Sequence, residues 1–513
     1  MNRLHRSSVN MISSLLGYTI PMIITFVTTP LLLHKLGTAA YGLQSLVAVV
    51  IGYLTFVDMG LDIPIVKLLA QDRAIKDTEA ENHLLSTMSQ LYFGIGILGL
   101  LIIIILSDWL ARSVFQMPVA MQSQAVVVFR LAGIGFLGSI GMSWGRAIAM
   151  GLQRFDLNYS VSVLLNSGGT IIGLFVVFAG FGIVGYVFTR VIITMFAGPV
   201  YFFLIRHQIK SFHFKLGIHV ITLRRVREYI GYGLVNRIVS TLVSRLDQTL
   251  IGIWVGIAAA GIYAIPFLLV NSITYMLAYM LGFIFPMASE LQSLGQMDKL
   301  RDIFIRASRF IAALSGLIFI PILIFGDLFL KIWVPSIASS ATGVLRLLVL
   351  AGFIGTLTAA ISNNIMVGLG KIRQFSIYST IRAAVLAGFC FIFIRSWGLE
   401  GAGWALLFTG GVDVIYFIIV LHRYLEISSL QLFKLAYLKP LMLAFVYAWL
   451  AFFLRPFATS WLGLSIVCAM LSIIYVASAF ALSIFSETEK RAFIELLHRT
   501  REYIFRTKDL KQG

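Results

Sequence analysis

Residues 229–254 read Tyr-Ile-Gly-Tyr-Gly-Leu-Val-Asn236-Arg237-Ile-Val-Ser-Thr-Leu-Val-Ser-Arg245-Leu-Asp247-Gln-Thr-Leu-Ile-Gly-Ile-Trp254. As a helix rising about 1.5 Å per residue, this stretch is long enough to cross a hydrocarbon layer of about 30 Å. Yet it carries two arginines and an aspartate. An arginine at the bilayer centre costs about 2.5 kcal/mol or more, so it faces a water-filled cavity or a partner rather than lipid. Arg130, Arg146, Arg190, Arg346 and Arg382 stand in other apolar stretches of the same kind. The sequence therefore describes a polytopic membrane protein with a polar, predominantly cationic interior.

Composition supports this. Apolar residues make up 59% of the 513 and charged residues 12%, well below the charge of a soluble domain. The net charge of +18 invites a nucleic-acid reading, which its distribution excludes: most of the excess lies in short stretches between apolar spans. Cys390 and Cys468 both fall inside spans and offer neither a disulfide framework nor metal-ligand spacing. The first apolar stretch is too long for a signal-peptide core and lacks a cleavage site.

About fourteen spans are expected, at 10–33, 41–69, 88–106, 124–149, 158–180, 183–205, 229–254, 261–287, 304–326, 343–367, 373–395, 399–421, 437–454 and 462–485. An even number puts both termini on one side. That side collects 28 lysines and arginines against 5 on the other, which predicts cytoplasmic termini.

Three landmarks recur in order. Gly37-Thr-Ala-Ala-Tyr-Gly42 matches Gly256-Ile-Ala-Ala-Ala-Gly261 at an offset of 219; Gly151-Leu152 matches Gly368-Leu369 at 217; Phe181-Gly182-Ile-Val-Gly185 matches Trp397-Gly398-Leu-Glu-Gly401 at 216. The expected architecture is an all-α membrane protein of two six-helix repeats with parallel pseudo-twofold symmetry plus two C-terminal helices. Its parts are an N-terminal lobe (1–210), a C-terminal lobe (211–430), two added spans (431–485) and a basic amphipathic tail on the cytoplasmic leaflet (486–513). In the tail, Ser486 and Glu489 have capping-box spacing, and Phe493, Leu496, Leu497, Tyr503 and Ile504 form one stripe.

Depth sorts the embedded charges. Arg130, Arg146 and Arg346 lie toward span ends, where snorkelling competes with a cavity role. Arg190, Arg237, Arg245 and Arg382 lie within roughly 7 Å of their span centres, where a cavity or ion-pair role is expected. Arg237 and Arg245 are about 80° and about 12 Å apart on one helix, a ladder of positive charge. Asp247 points away from Arg245, so its partner is expected on another helix. Arg382 and Asp413 sit at similar depth on consecutive spans and make a candidate buried ion pair. Asp58 and Asp62, i,i+4 on span two, either couple a proton or sodium ion, meet a cavity arginine or stand exposed at the cytoplasmic mouth. Gly141-x-x-x-Gly145 permits close helix packing, and Pro21, Pro64, Pro266, Pro286 and Pro321 are candidate hinges. Seven arginines against four aspartates favour an anion, and arginine can bind pyrophosphate bidentately.

With Leu36-Gly37, Tyr41-Gly42, Val57-Asp58-Met59-Gly60-Leu61, Asp247-Gln-Thr-Leu-Ile251-Gly252, Gly261-Ile262-Tyr263 and Pro286 in this order, the chain resembles the polysaccharide flippases (Wzx-type O-antigen, capsule and exopolysaccharide flippases) of the multidrug/oligosaccharidyl-lipid/polysaccharide exporter superfamily. The resemblance implies a transporter, not an enzyme. It would sit in the bacterial or archaeal inner membrane and move a polyprenyl-pyrophosphate-linked oligosaccharide to the outer leaflet by alternating access. The expected partners are that substrate, membrane lipid, a coupling proton or sodium ion and other polysaccharide-assembly proteins, around a functional monomer without cofactor. No Gly-x-x-x-x-Gly-Lys-Ser/Thr nucleotide loop is present, so the drive is an ion gradient, the membrane potential or consumption of product. A drug or cation antiporter of the same superfamily needs a more acidic cavity. A peptidoglycan-precursor flippase differs only in substrate. A glycan polymerase or glycosyltransferase needs charged external loops, whereas Asp108, Asp327 and Glu400 stand isolated.

Overall fold

The computed structural model describes residues 3–54, 60–152, 154–209, 212–282, 284–482 and 484; side chains are further left undescribed at 3–18, 155, 156, 158, 228–240, 242, 243 and 279. The amphipathic tail and Asp58 thus lie outside the described residues, as does the side chain of Arg237. The described residues form helices and no strands.

The chain is a multi-pass membrane protein. Ten helical segments among the described residues are long and apolar enough to cross a bilayer. Three of them fold back at glycine and supply two legs each. α1 (Arg3–Leu54) breaks at Gly37, with φ 78° and ψ 168°. α5 (Phe155–Val176) passes into α6 (Gly182–Met195) and α7 (Ala197–Gln208) through Gly180 and Gly182, both at positive φ. α14 (Ile372–Val420) breaks at Gly398, φ 56°. With α8 (Val220–Trp254), the legs number about fourteen.

The remaining elements are α2 (Asp62–Ala74), α3 (Thr78–Trp109), α4 (Val119–Gly151), α9 (Ile257–Met280), α10 (Ile284–Ser293), α11 (Met297–Trp333), α12 (Ala338–Leu357), α13 (Ala359–Gly368), α15 (Ser429–Leu432), α16 (Leu438–Leu454) and α17 (Trp461–Ala481). Their boundaries carry the repeat. α3 and α11 start 219 residues apart, α4 and α12 likewise, and α5 and α14 start 217 apart. Positive-φ residues recur at the same offsets: Gly37 with Gly256, Lys76 with Gly295, and Gly182 with Gly398.

One expectation needs correction. Span two is not one helix: Gly60 has φ 67° between the end of α1 and the start of α2. Asp62 is the first residue of α2, and Asp58 lies outside the described residues. Pro21, Pro266 and Pro321 lie within helices. Pro64 and Pro286 occupy first turns of α2 and α10, where a missing N–H costs little.

Two compact units result. The first comprises Met1–Leu268 and Ser379–Leu406, the second Leu269–Tyr378 and Leu407–Gly513. In the first, α4 presents glycines to its neighbours. A methyl on Gly138 would come within 2.9 Å of the Thr194 and Met195 backbone, and one on Gly141 would stand 3.1 Å from the Gly198 Cα; Gly145 lies against the Tyr201 ring. Helices approach closely where side chains are absent, as the Gly141/Gly145 spacing predicts.

The connection between α7 and α8 runs along α3. Its amides at His213, Lys215 and Gly217 donate to Asn82 (3.0 Å), Ser86 (3.1 Å) and Gln90 (2.9 Å). Two extended residues advance about 6.6 Å and four helical residues about 6 Å, so alternate amides meet side chains one turn apart. Arg225 then grips Asp72 with two nitrogens, at 2.6 and 3.3 Å.

In the second unit α11 packs against α12 and α16. α17 joins through Tyr475, whose hydroxyl donates to the Ala313 carbonyl at 2.8 Å and whose ring meets Tyr447 edge-on.

Candidate functional site

The second leg of α1, residues 38–54, gathers the polar interior of the first unit. Gln44 Nε2 lies 3.5 Å from the Tyr186 hydroxyl, and Arg190 Nη1 lies 3.4 Å from the same oxygen. The Arg190 guanidinium sits 6.0 Å from the Tyr186 ring centroid. Eight residues on, about 12 Å along the helix, Gly52 faces Arg245: a methyl on Gly52 would stand 3.1 Å from Arg245 Nε. Beside it Tyr53 and Thr249 share a 2.6 Å hydrogen bond. The structure thus brings Arg190 and Arg245, from α6 and α8, to one leg. Both are half-buried.

The acidic candidates behave differently. Asp247 is 2% exposed; its carboxylate accepts from the Tyr263 hydroxyl and, at 2.7 Å, from the Gln248 amide. Its partner is indeed on another helix, α9. In the second unit Asp413, also 2% exposed, accepts from the Tyr378 hydroxyl at 2.7 Å, and Tyr416 stacks on that ring at 3.7 Å. Burying a carboxylate is tolerable when hydrogen bonds replace water. Asp62 is half-buried at the start of α2, and its Oδ1 has no hydrogen-bond partner among the described residues.

The remaining arginines spread out. Arg382 is half-buried on α14. Arg130 is exposed and reaches Ser107 at 3.3 Å, and Arg146 is exposed with Ser143 at 3.4 Å. Arg346 shares Asp327 with Arg455. Arg237 shares α8 with Arg245, so the backbone places the two eight residues apart on one helix. Sequence reasoning missed Gln44, Gly52, Tyr53 and Tyr186, which are neutral and carry no motif. The signal for Tyr263 was its place in Gly261-Ile262-Tyr263, sixteen residues after Asp247.

The comparisons with known proteins agree with this architecture. Residues 8–292 match the family model described as "Polysaccharide biosynthesis protein". A curated relative, the "Putative O-antigen transporter" of Shigella flexneri, is 22% identical over 405 residues, covering 77% of this chain and 92% of its own. Among solved structures, the lipid II flippase MurJ in an inward closed conformation superposes with a TM-score of 0.68 at 12% identity, over 93% of this chain and all of its own. An inward-facing multidrug resistance MATE family transporter of the MOP superfamily gives 0.63 at 15% identity, over 84% of this chain and all of its own. At these identities the structures show the fold, and the family model spans more than half of the sequence: the chain belongs to the polysaccharide biosynthesis protein family and has the fold of the MOP-superfamily transporters and flippases.

Proposed function

We propose that this protein is an inner-membrane flippase that moves a polyprenyl-pyrophosphate-linked oligosaccharide from the cytoplasmic to the outer leaflet. The headgroup enters between the two six-helix repeats, which rock between inward-open and outward-open states, with both termini cytoplasmic. Arg245, Arg190 and Arg237 neutralise the pyrophosphate; Arg382, Arg146 and Arg130 complete the cationic lining. The polyprenyl tail stays in lipid.

The observation that carries this reading, beside the family, is the unequal treatment of charge. Asp247 and Asp413 are buried and held by tyrosine hydroxyls, whereas Arg190 and Arg245 remain half-buried beside one polar leg. Such a set favours an anion, since guanidinium pairs bidentately with phosphate. It offers little to a cationic drug. The relative named as an O-antigen transporter supports a surface-polysaccharide cargo, and coupling to a proton or sodium ion remains part of the proposal through Asp58, Asp62, Asp247 and Asp413.

Proteoliposomes loaded with a fluorescent polyprenyl-pyrophosphate oligosaccharide, with a cationic dye as parallel substrate, test it. The lipid-linked sugar should move and the dye should not, and Arg237→Ala/Arg245→Ala should abolish movement. Transport of the dye alone, or full activity of the double variant, sinks the reading.

A further inference from the structure

Asp327, near the end of α11, collects two arginines. Arg455, which follows α16, bridges its Oδ2 closely. Arg346, on α12, stands 3.9 Å from its Oδ1, beyond hydrogen-bond reach, and that buried oxygen has no hydrogen-bond partner among the described residues. The Asp327 side chain is 12% exposed and that of Arg346 47%. One carboxylate neutralises one guanidinium, and Arg455 has it. The spare positive charge is that of Arg346.

The other described carboxylates of the second unit lie elsewhere. Asp298, Asp302 and Glu426 gather at the start of α11, where Arg301 bridges Asp298 and Glu426 and Arg306 bridges Asp302. Asp302 is 25 residues, about 37 Å, from Asp327 along α11. Glu290 is on α10, which precedes that start. Asp413 lies beside Gly355, nine residues and about 13 Å beyond Arg346 on α12.

The bland explanation is an arginine whose stem snorkels along apolar surface toward the headgroups. The face it stands on argues otherwise. The exposed residues of α12 are Ser339, Ser340 and Arg346, and Thr342 and Gly343 between them are half-buried. Ser339, Gly343 and Arg346 fall on one helical stripe. α16 of the same unit instead exposes Phe445, Trp449 and Phe452, as a lipid-facing helix does. The stripe between Arg346 and the start of α12 suits water.

The repeat supplies an internal control. At the offset of 219 that relates α3 to α11 and α4 to α12, Asp327 matches Asp108, Lys331 matches Arg112 and Arg346 matches Val127. Arg112 bridges Asp108 at 3.0 Å, and Val127 is 43% exposed. The first repeat balances its aspartate with no arginine at this position of α4, so that task does not require Arg346.

Resting on the flippase reading above, we propose that Arg346 is a specificity-determining residue that binds the pyrophosphate group of the lipid-linked sugar. With cytoplasmic termini this end of the second unit faces outward, so Arg346 takes the group after it has crossed and before release. The guanidinium turns from its long contact with Asp327 to two phosphate oxygens, and Asp327 keeps Arg455.

Full-length protein in neutral detergent tests this with two probes, a fluorescent polyprenyl-pyrophosphate oligosaccharide and inorganic pyrophosphate. Arg346→Gln should weaken binding of the lipid-linked sugar about tenfold and shift the melting temperature by less than about 2 °C, since a long, half-exposed bridge stabilises little. Arg346→Lys should keep part of the affinity. Lys331→Gln, which removes an exposed cation from the same end of α11, should weaken binding less than about twofold. Unchanged affinity in Arg346→Gln overturns the role of Arg346 and leaves the flippase reading standing. An equal loss in Lys331→Gln overturns it in favour of diffuse attraction. Pyrophosphate held through Arg346 by a wild type that ignores the lipid-linked sugar overturns the lipid-linked source, and the flippase reading with it. Binding of neither probe overturns the site.

Discussion

Gly42 and Gly261, 219 residues apart in sequence, touch backbone to backbone. A methyl on Gly42 would stand 3.1 Å from the Gly261 nitrogen, and one on Gly261 would stand 2.9 Å from the Gly42 nitrogen. The same methyls would overlap the carbonyl oxygens of Ile257 and Thr38 respectively, and those two residues are also 219 apart. Each repeat therefore offers the other the same surface. Reciprocal contact of this kind is the signature of a two-fold relationship. Within the first unit, the α1 leg at 38–54 and α9 cross on that local axis.

The crossing predicts intolerance at both glycines. A backbone carbonyl cannot swing aside as a flexible side chain can. Gly42→Ala and Gly261→Ala should each cost about 3 kcal/mol, at the upper end of overpacking penalties. Gly94→Ala is the control, since nothing lies within 4 Å of its added methyl; inside α3 it should stabilise by up to about 1 kcal/mol. Melting curves in detergent decide, and equal behaviour of the three variants would contradict a close crossing.

Asp72 and Arg225 tie α2 to the start of α8. The aspartate side chain is 3% exposed and the arginine 34%, so removing the arginine leaves a buried charge alone. Arg225→Ala should destabilise by about 3 kcal/mol, near the lower bound for breaking a buried pair. Asp72→Asn/Arg225→Gln should recover part of the loss, because no unpaired charge is left. Additive losses in the double variant would show that the two side chains act independently.

Tyr263→Phe removes the hydroxyl that serves Asp247 and leaves the rest of the ring in place. The expected cost is about 1–3 kcal/mol for a buried acceptor deprived of its donor. Asp247→Asn retains an oxygen for the Tyr263 hydroxyl and should melt within about 1 kcal/mol of wild type. Comparing the melting temperatures checks both. A Tyr263→Phe protein as stable as wild type would mean that another donor serves the carboxylate.

How far the sequence could be read follows from what each interaction leaves in it. Apolar length is local, so the spans were legible. The repeat was legible because Gly37/Gly256 and Gly182/Gly398 are backbone positions where positive φ selects glycine. The break at Gly60 was not, since one glycine in an apolar run reads equally as close packing. Among the site residues, charge drew attention to Arg190, Arg245 and Asp247. Tyr186 and Tyr263, which position them, are ordinary core residues in sequence. The convergence of Gln44 with Arg190, or of Gly52 with Arg245, depends on tertiary packing between helices far apart in the chain, and no periodicity records it.

Gln90 holds the connection between α7 and α8 and supplies the last test. Its carboxamide accepts from the Gly217 amide and donates toward the Lys215 and Gly217 carbonyls at 3.0 and 3.2 Å. These bonds sit at an exposed surface and bury little apolar area, so Gln90→Ala should alter global stability by less than about 1 kcal/mol. Locally the effect should be large, because residues 215–217 have the Gln90 side chain to order them. Hydrogen exchange at the Gly217 amide should quicken about tenfold, whereas the amides at the centre of α3 should not change. Asn82→Ala should act in the same way at His213, two turns back along α3 and four residues back along the strap. Unchanged exchange in both variants would mean that α3 does not hold the strap. Acceleration confined to the matching amide in each would confirm the two-to-four register between extended chain and helix.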